Sequence, residues 1–416
     1  MYVLFQKRKY DQKVKILRKS EGDYRMNEVV VISAVRSAVG AFGGGLKTMI
    51  PLELARLAII EVLRRGGVQP DWIGKVIFGG NMNPLGQNIA RSAAYIAGIP
   101  EEVPGFTINS TCGSSIQAVI SAVQAIRDGE VQAVIAGGVE SMSNAPYLLT
   151  SSRWGQRLRH MEALDLLWAG MQEPAIGVGM GLTAENLAEK YHISREEQDA
   201  FALLSHQRAV KAIEGGKFKA EIMPIAVPRP RKEPLVFDID EHPRKDLTLE
   251  KLAALPTAFK EGGTVTAGNA CGLNDGVAAA VIMSRRRADE LGLKPLARIR
   301  GYKVVGVDPN YMGIGPVPSI RGVLKETGLS LDDIERFEIN EAFAAQYLAC
   351  ERELGLNRDK VNIYGNGIAL GHPVGATGAR LLTTLLYGMI NDNLTLGIYS
   401  LCAGEGMGFA VILERV

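Results

Sequence analysis

The chain has 416 residues, enough for a large core and two or three domains. It is 47% hydrophobic and 22% charged with a net charge of +2, which argues against a nucleic-acid or acidic-membrane partner. No uninterrupted apolar run of about 18 residues occurs, so no transmembrane helix is expected, and the four cysteines (112, 271, 350 and 402) form no Cys-x-x-Cys pair. A metal knuckle or disulfide framework is therefore not expected, no metal is assigned, and a reducing, cytoplasmic setting fits best.

Residues 1–25 carry eight Lys or Arg against three Asp or Glu, a local +5 that leaves −3 for the remainder. No apolar segment follows them, so residues 1–26 read as a basic N-terminal extension that the fold does not need. From Met26 the run Asn-Glu-Val-Val-Val-Ile-Ser reads as a buried first strand. Gly40-Ala-Phe-Gly-Gly-Gly-Leu-Lys looks like a phosphate loop but lacks the Gly-Lys-Ser/Thr ending, and reads as a flexible turn.

Strand-like and helical runs alternate from residue 28 to about 142 and again from about 294 to the end, the mark of α/β layers. The two stretches also rhyme. Asp71-Trp-Ile-Gly-Lys-Val-Ile-Phe leads to Asn81, and Asp333-Ile-Glu-Arg-Phe-Glu-Ile leads to Asn340. Asn81 to Cys112 is 31 residues and Asn340 to His372 is 32; Cys112 to Glu140 is 28 and His372 to Cys402 is 30. Such matched spacings predict a duplicated half-domain, and two halves packed face to face would bring Cys112 and His372 together.

Cys112, in Asn-Ser-Thr-Cys-Gly, precedes Ile116, Val119, Ile120, Val123 and Ile126 at helical spacing, so it is expected in or beside a first helical turn. There a helix N-terminus would lower the thiol's pKa and offer N–H groups to an oxyanion. The middle, 143–263, is rich in Arg, Met, Pro and Gly; it reads as an inserted loop domain over the site, with a capping box at Ser194-Arg-Glu-Glu. His372, with Leu381, Leu382, Leu385 and Leu386 behind it, is read as opening a second helix. Of five histidines it alone stands in a glycine-lined apolar turn. Cys402 lies between two strand-like runs, ahead of a turn with glycines at 404, 406 and 408. Two thiols and an imidazole in sharp turns point to acyl transfer, one sulfur as nucleophile and the other as proton carrier.

Cys112-Gly-Ser-Ser, Gly137-Gly-Val-Glu-Ser-Met-Ser, Thr264-Val-Thr-Ala-Gly-Asn-Ala-Cys-Gly-Leu-Asn-Asp-Gly, Asn340-Glu-Ala-Phe-Ala, Gly371-His-Pro-Val-Gly-Ala and Cys402-x-Gly-x-Gly-Met-Gly occur in order and spacing. Together they resemble a thiolase over about residues 27–416. The resemblance implies duplicated βαβαβαββ halves in an αβαβα sandwich: 27–142 with 264–293 as the N-terminal half, 143–263 as the loop domain covering the CoA site, and 294–416 as the C-terminal half. It implies reversible, CoA-dependent cleavage of 3-ketoacyl-CoA, acetoacetyl-CoA or longer, to acetyl-CoA and acyl-CoA. Cys112 would carry the acyl group and His372 would activate it. His372 and a water on Asn340 would hold the enolate, Cys402 would move its proton, and the N–H groups of Cys112 and Gly404 would hold the tetrahedral oxyanion.

Contacts to CoA carried over by match are Arg244, Ala258, Phe259, Ala267, Gly268, Cys271, Met180, Met312 and Phe343. CoA is then a substrate, no cofactor is bound permanently, and a homodimer or homotetramer is implied. The chain departs from acetoacetyl-CoA thiolases at Gly179, where a histidine is usual, at Cys271, usually a serine, and at Glu405 within a Gly-Gly-Gly turn. With Ala175 and Val178, the small Gly179 implies room for more than an acetyl group. Two rivals are a decarboxylating ketosynthase-like condensing enzyme and a non-catalytic CoA- or lipid-binding protein on the same fold. The first does not need Cys402, and the second needs none of the four reactive residues.

Overall fold

The computed structural model describes residues 28–82, 88–155, 157–158, 160–173 and 176–416. The basic extension and Ala175 lie outside the described residues. In the first half, β1 (Val29–Ser37) leads through the two-residue β2 (Gly40–Ala41) to α1 (Pro51–Gly66), β3 (Lys75–Gly79) and α2 (Ile89–Ile96). β4 (Gly105–Ile108), α3 (Ser114–Arg127) and β5 (Ala133–Ser141) follow. β1 and β5 are buried along their whole length, which is why they are apolar on both faces over most of their length rather than alternating.

The inserted segment carries β6 (Tyr147–Leu148), β7 (Leu164–Asp165), α4 (Leu166–Ala169), β8 (Gln172–Glu173), β9 (Val178–Gly179), α5 (Met180–Lys190) and α6 (Arg195–Glu214). It continues with β10 (Ile222–Met223), β11 (Ile225–Arg229), β12 (Lys232–Phe237) and α7 (Leu249–Ala253). α6 starts at Ser194 with both hydrogen bonds of the expected capping box.

β13 (Asn274–Ser284) then returns to the first half, and α8 (Arg285–Glu290) leads out of it. The second half runs β14 (Ala297–Gly306), α9 (Pro316–Thr327), β15 (Arg336–Ile339), α10 (Ala344–Leu354), α11 (Gly367–Leu370), α12 (Thr377–Asn391), β16 (Leu396–Ala403) and β17 (Met407–Arg415).

Strand pairing repeats the rhyme heard in the sequence. The first half orders β4-β3-β5-β13-β1 and the second β15-β16-β17-β14, joined where β1 pairs β14 at Val30↔Arg298 and Val31↔Ala297. β3 is parallel to β5 and β5 antiparallel to β13; likewise β15 is parallel to β16 and β16 antiparallel to β17. The counterpart of β4 is reduced to one bridge, Phe337↔Val361. There the Asn362 side chain takes over the edge, accepting from Ile339 N at 2.9 Å and donating to Ile339 O at 2.8 Å, so no further strand can pair.

Three cores separate the layers. Alternation along the strands sends Ile398 and Ile412 to one face and Tyr399 and Val411 to the other. α1 and α2 cover the outer face of the first half, and α9 and α10 cover that of the second. Between the two runs of strands lie α3 and α12, through Ile116, Val119, Ile120, Leu381, Leu382 and Leu385. The result is helix, sheet, helix, sheet, helix. Among its described residues the inserted segment has no core of its own. Leu187, Phe201 and Ala202 of α5 and α6 join the second half's outer core, whereas Ile225, Val227 and Phe237 of the β11–β12 hairpin join the first half's. Arg36 at the end of β1 ties this segment down, with Nε 2.5 Å from Glu221 and Nη1 2.7 Å from Asp240.

The glycine turn after β2 is pinned rather than flexible. Ala41 and Gly45 donate N–H bonds to the Glu241 carboxylate at 2.9–3.1 Å. A Cβ on Gly44 would stand 2.3 Å from that carboxylate. The nest does bind an anion, and the anion is the chain's own side chain.

Candidate active site

Cys112 stands two residues ahead of α3, in a turn that its neighbours tie tightly. Ser114 Oγ donates to Thr111 O at 2.6 Å and accepts from Ser110 N at 2.9 Å. Thr111 takes the left-handed region at φ 47°, a strain of about 1–2 kcal/mol for a residue with a Cβ. Contrary to the expectation from the helix start, the Cys112 thiol is pushed up to about 11. Burial is the main cause; hydrogen bonds from the N–H groups of Gly404 and of Cys112 itself oppose it, and the charge of Glu140 adds to it. At rest Cys112 is a thiol. Beside it lies an apolar wall of Met82, Met142, Leu167 and Val374, with Met171 and Leu273 packed on it.

His372 does not open a helix. It sits five residues ahead of α12, in a turn between α11 and a short 3-10 segment, Val374–Ala376. Asn274 on β13 shapes that turn: its Oδ1 accepts from His372 N at 2.9 Å. Gly371, at φ 104°, is needed because a Cβ there would lie 2.6 Å from Asn274. Thr377 Oγ1 donates to Pro373 O at 2.9 Å, so its oxygen accepts the 2.6 Å bond from His372 Nδ1–H. That leaves Nε2 as the ring's lone-pair side, facing Asn340 Nδ2 at 3.5 Å. Burial, then the Arg380 guanidinium, lowers the His372 pKa to about 3, so the imidazole is neutral.

The two turns meet because α3 and α12 touch at their N-terminal ends. Ala379 N donates to Ser115 Oγ at 3.1 Å, and a Cβ on Gly378 would lie 2.4 Å from Ile116 N. Glu140, at the C-terminal end of β5, locks the arrangement by accepting from Asn81 N, Met82 N and Gly375 N at 3.2, 3.0 and 2.9 Å. Glu140→Gln is expected to set an amide N–H₂ against one of those donors and to lower stability by about 1–3 kcal/mol. Chemical denaturation measures this loss; an unchanged midpoint would contradict the role.

Cys402 precedes the turn from β16 to β17 and is 1% exposed. Ala184, Val265, Ala270, Met312, Ala342, Phe343 and Met180 surround it. Its thiol is raised well above the usual range, chiefly by burial and then by the charges of Cys112, Cys350 and Cys271. Cys271, half-buried and also near Cys112, is pushed up to about 12 by burial. Cys350 is a core residue on α10, with Sγ 3.3 Å from Gly313 O.

The residues expected at CoA divide into two groups. Met180, Met312 and Phe343 pack around Cys402. Arg244, Ala258, Phe259 and Ala267 are exposed, and Gly268 is half-buried against Leu252 and Leu255. Phe259 joins the groups, its ring 6.0 Å from that of Phe343 in an edge contact. Ala258 N donates to Val265 O at 3.0 Å, so 258 and 267 stand on one loop pair at the mouth. Arg244 N donates to His206 Nδ1 at 3.1 Å; His206 on α6 and His242 are near-parallel rings at 6.2 Å, and His242 packs against Gly272, the neighbour of Cys271.

Asn274, Thr377 and Glu140 are site residues that pattern reading left without a role, although all three fall within or beside the quoted motifs. Among the described residues no group of His, Cys, Asp or Glu is placed to hold a metal ion. No helix of the described residues is long and apolar enough to cross a membrane.

A duplicated, five-layered α/β fold that brings the Cys112 turn, a neutral imidazole and a second, buried thiol to one region fits the acyltransferases. The thiolase N-terminal domain matches residues 29–286 and the thiolase C-terminal domain residues 293–415. The acetyl-CoA acetyltransferase of Syntrophomonas wolfei is 48% identical over 396 residues, covering 94% of this chain and 99% of that protein. That of Pseudomonas aeruginosa is 48% identical over 392 residues, covering 94% and 100%. The solved Bacillus anthracis acetyl-CoA acetyltransferase superposes with a TM-score of 0.92 at 51% identity, covering 94% and 100%. Human mitochondrial 3-ketoacyl-CoA thiolase in complex with CoA superposes at 0.91 with 42% identity, covering 94% and 99%. The chain belongs to the thiolase family.

Proposed function

We propose that this chain exchanges acyl groups between CoA and a 3-ketoacyl-CoA. The observation that carries the reading is a neutral His372 held by Thr377 and Asn340, its turn packed on the start of the Cys112 helix, with the Gly404 N–H favouring the Cys112 thiolate. His372 Nε2 takes the Cys112 proton as sulfur attacks the C3 carbonyl, and the N–H groups of Cys112 and Gly404 hold the oxyanion. The C2–C3 bond breaks, leaving the acyl group on Cys112 and the enolate of acetyl-CoA, held by His372 and a water on Asn340. Cys402 protonates that carbon, then takes the proton of incoming CoA, whose thiolate releases the acyl group as acyl-CoA. His372 returns the proton to Cys112. Run backwards, the same steps are a Claisen condensation. Mass spectrometry after mixing with acetyl-CoA tests the reading: an acetyl adduct is expected on the peptide holding Cys112, and an adduct on Cys271 or Cys350 instead would overturn it.

Adenosine and pantetheine of CoA would run past Arg244, Ala258, Phe259, Ala267, Gly268 and Cys271 to Met180, Met312 and Phe343. A ketosynthase has no task for the buried Cys402, and a silent binder has none for the Cys112, His372 and Asn340 set. The four free cysteines support a cytoplasmic, reducing setting. Exposed Tyr95 and Ile96 on α2 and Phe106 on the edge strand β4 support a homodimer or homotetramer. A role in fatty-acid metabolism follows from the substrate class.

The acyl group would meet the wall of Met82, Met142 and Leu167, whose unbranched methionines adapt to a guest. Val178 is half-buried, and a Cβ on Gly179 would stand an ordinary 3.6 Å from Gln172. Each buried methylene adds about 0.8 kcal/mol, so two shift preference by roughly tenfold. 3-Ketohexanoyl-CoA is expected to be cleaved with kcat/KM at least comparable to that of acetoacetyl-CoA. Kinetics on substrates of four to ten carbons decides it, a fall of about a hundredfold from four carbons to six meaning a closed pocket.

A further inference from the structure

The turn from β16 to β17 leaves Gly404, Glu405 and Gly406 outside the ladder, beyond the pair Ala403↔Met407. Glu405 takes φ 67°, the left-handed region that costs a residue with a Cβ about 1–2 kcal/mol. Something must hold it there. The peptide that joins Gly404 to Glu405 is held at its N–H, on Glu405, which donates to Glu173 Oε2. Its carbonyl, on Gly404, stands 3.4 Å from Thr111 Oγ1, whose proton has the closer acceptor Ser110 O at 2.9 Å, and Thr111 is the neighbour of Cys112.

Glu173 ends β8 in the inserted segment, pairs in register with Val178 of β9, and is fully buried. A buried carboxylate that accepts a backbone N–H makes a strong, directional bond. Gly404 has two soft dihedrals and no side chain to hold it. With Ala403 held in the ladder before it, fixing the peptide after it holds Gly404 from both sides and limits where its own N–H points. Gly404 stands beside the Cys112 turn, its carbonyl 3.4 Å from Thr111, and its N–H favours the Cys112 thiolate.

We infer that Glu173 is a positioning residue of the oxyanion hole, fixing the Gly404–Glu405 peptide so that the Gly404 N–H is aimed at the acyl group on Cys112. It touches no substrate. The inference rests on the thiolase reading of Gly404 and deepens it: the inserted segment that covers the site also sets the geometry of the site's donor. It also gives Glu405, which stands where relatives of the resemblance carry glycine, a reason to be tolerated.

The test uses the full chain with Glu173→Ala and Glu173→Gln. Glu173→Ala is expected to lower kcat by about 10- to 100-fold, the cost of a misaimed donor, with KM for acetoacetyl-CoA within about threefold. The acyl-enzyme formed from isotopically labelled acetyl-CoA is read by infrared difference spectroscopy. Its carbonyl stretch is expected to rise in Glu173→Ala, since a thioester oxygen with weaker donors keeps more double-bond character. Glu173→Gln, whose amide oxygen can still accept from Glu405 N–H, is expected to restore both. An unshifted stretch in Glu173→Ala, or a glutamine variant as impaired as the alanine one, overturns the inference. If Glu173→Ala does not fold, Glu173→Asp gives the same reading, because it keeps the charge and withdraws the acceptor by one methylene. An unshifted stretch there is equally fatal. Absence of any adduct on wild-type Cys112 is a different outcome, and it removes the thiolase reading itself.

Discussion

Cys112→Ala is expected to abolish exchange between acetoacetyl-CoA and CoA, lowering kcat by at least about 10,000-fold, as removal of a covalent nucleophile does elsewhere. The fold should persist, because Cys112 is only partly buried at the edge of its apolar wall and alanine removes a single sulfur. The wild-type thiol is pushed up to about 11 while His372 is lowered to about 3, so at neutral pH the resting pair is thiol and imidazole rather than thiolate and imidazolium. The sign follows: a raised thiol pKa means that the thiolate, the reactive form, accumulates only as pH rises. Labelling of Cys112 by iodoacetamide in the free enzyme should therefore climb with pH beyond 9 with no plateau near 7. A plateau near neutrality would mean a preformed ion pair. Retained exchange in Cys112→Ala would remove Cys112 from the chemistry altogether.

Cys402→Ser is expected to separate the two half-reactions. Acetyl-CoA should still acylate Cys112, for which the proposed base is His372, but deuterium exchange at C2 of acetyl-CoA should disappear. A serine hydroxyl is a far weaker acid than a thiol, and losing a positioned acid–base group costs about 100- to 10,000-fold. The pocket of Val265, Ala270, Met312, Ala342 and Phe343 gives the hydroxyl apolar neighbours that do not stand in for the thiol. Mass spectrometry reports acylation and proton NMR reports exchange. Normal exchange with normal acylation would transfer the proton step to another group, Cys271 being a candidate because its charge raises the Cys402 thiol and it is itself raised by that of Cys112.

Much of this is legible along the chain. The matched intervals around Cys112 and His372 correspond to paired halves because equal lengths of strand, helix and turn bring equivalent residues to equivalent ends of the two helices. The capping box at Ser194 is a local interaction, and local interactions survive into any fold. The positions of α3 and α12 follow from apolar residues at helical spacing, which must face a core whatever else the chain does. Two readings of local conformation went differently. The glycine turn after β2 is held by Glu241, some 200 residues later, and no local pattern carries such a contact. His372 was expected to begin a helix but stands ahead of it, because Asn274 from the other half draws its N–H out of helical register.

The sequence by itself determined the layered α/β class, the duplication and the family, and it singled out the candidate thiols and imidazole, because these depend on periodicity, spacing and residue type. Tertiary structure alone decided their chemical state. The helix start that should acidify Cys112 is outweighed by burial, and burial is a sum over neighbours from both halves and the inserted segment. It also decided the tautomer of His372, through one hydroxyl of Thr377, and the aim of the Gly404 N–H. Charge state and donor direction depend on distances between residues far apart in the chain, and those distances exist only once the two halves have closed on each other.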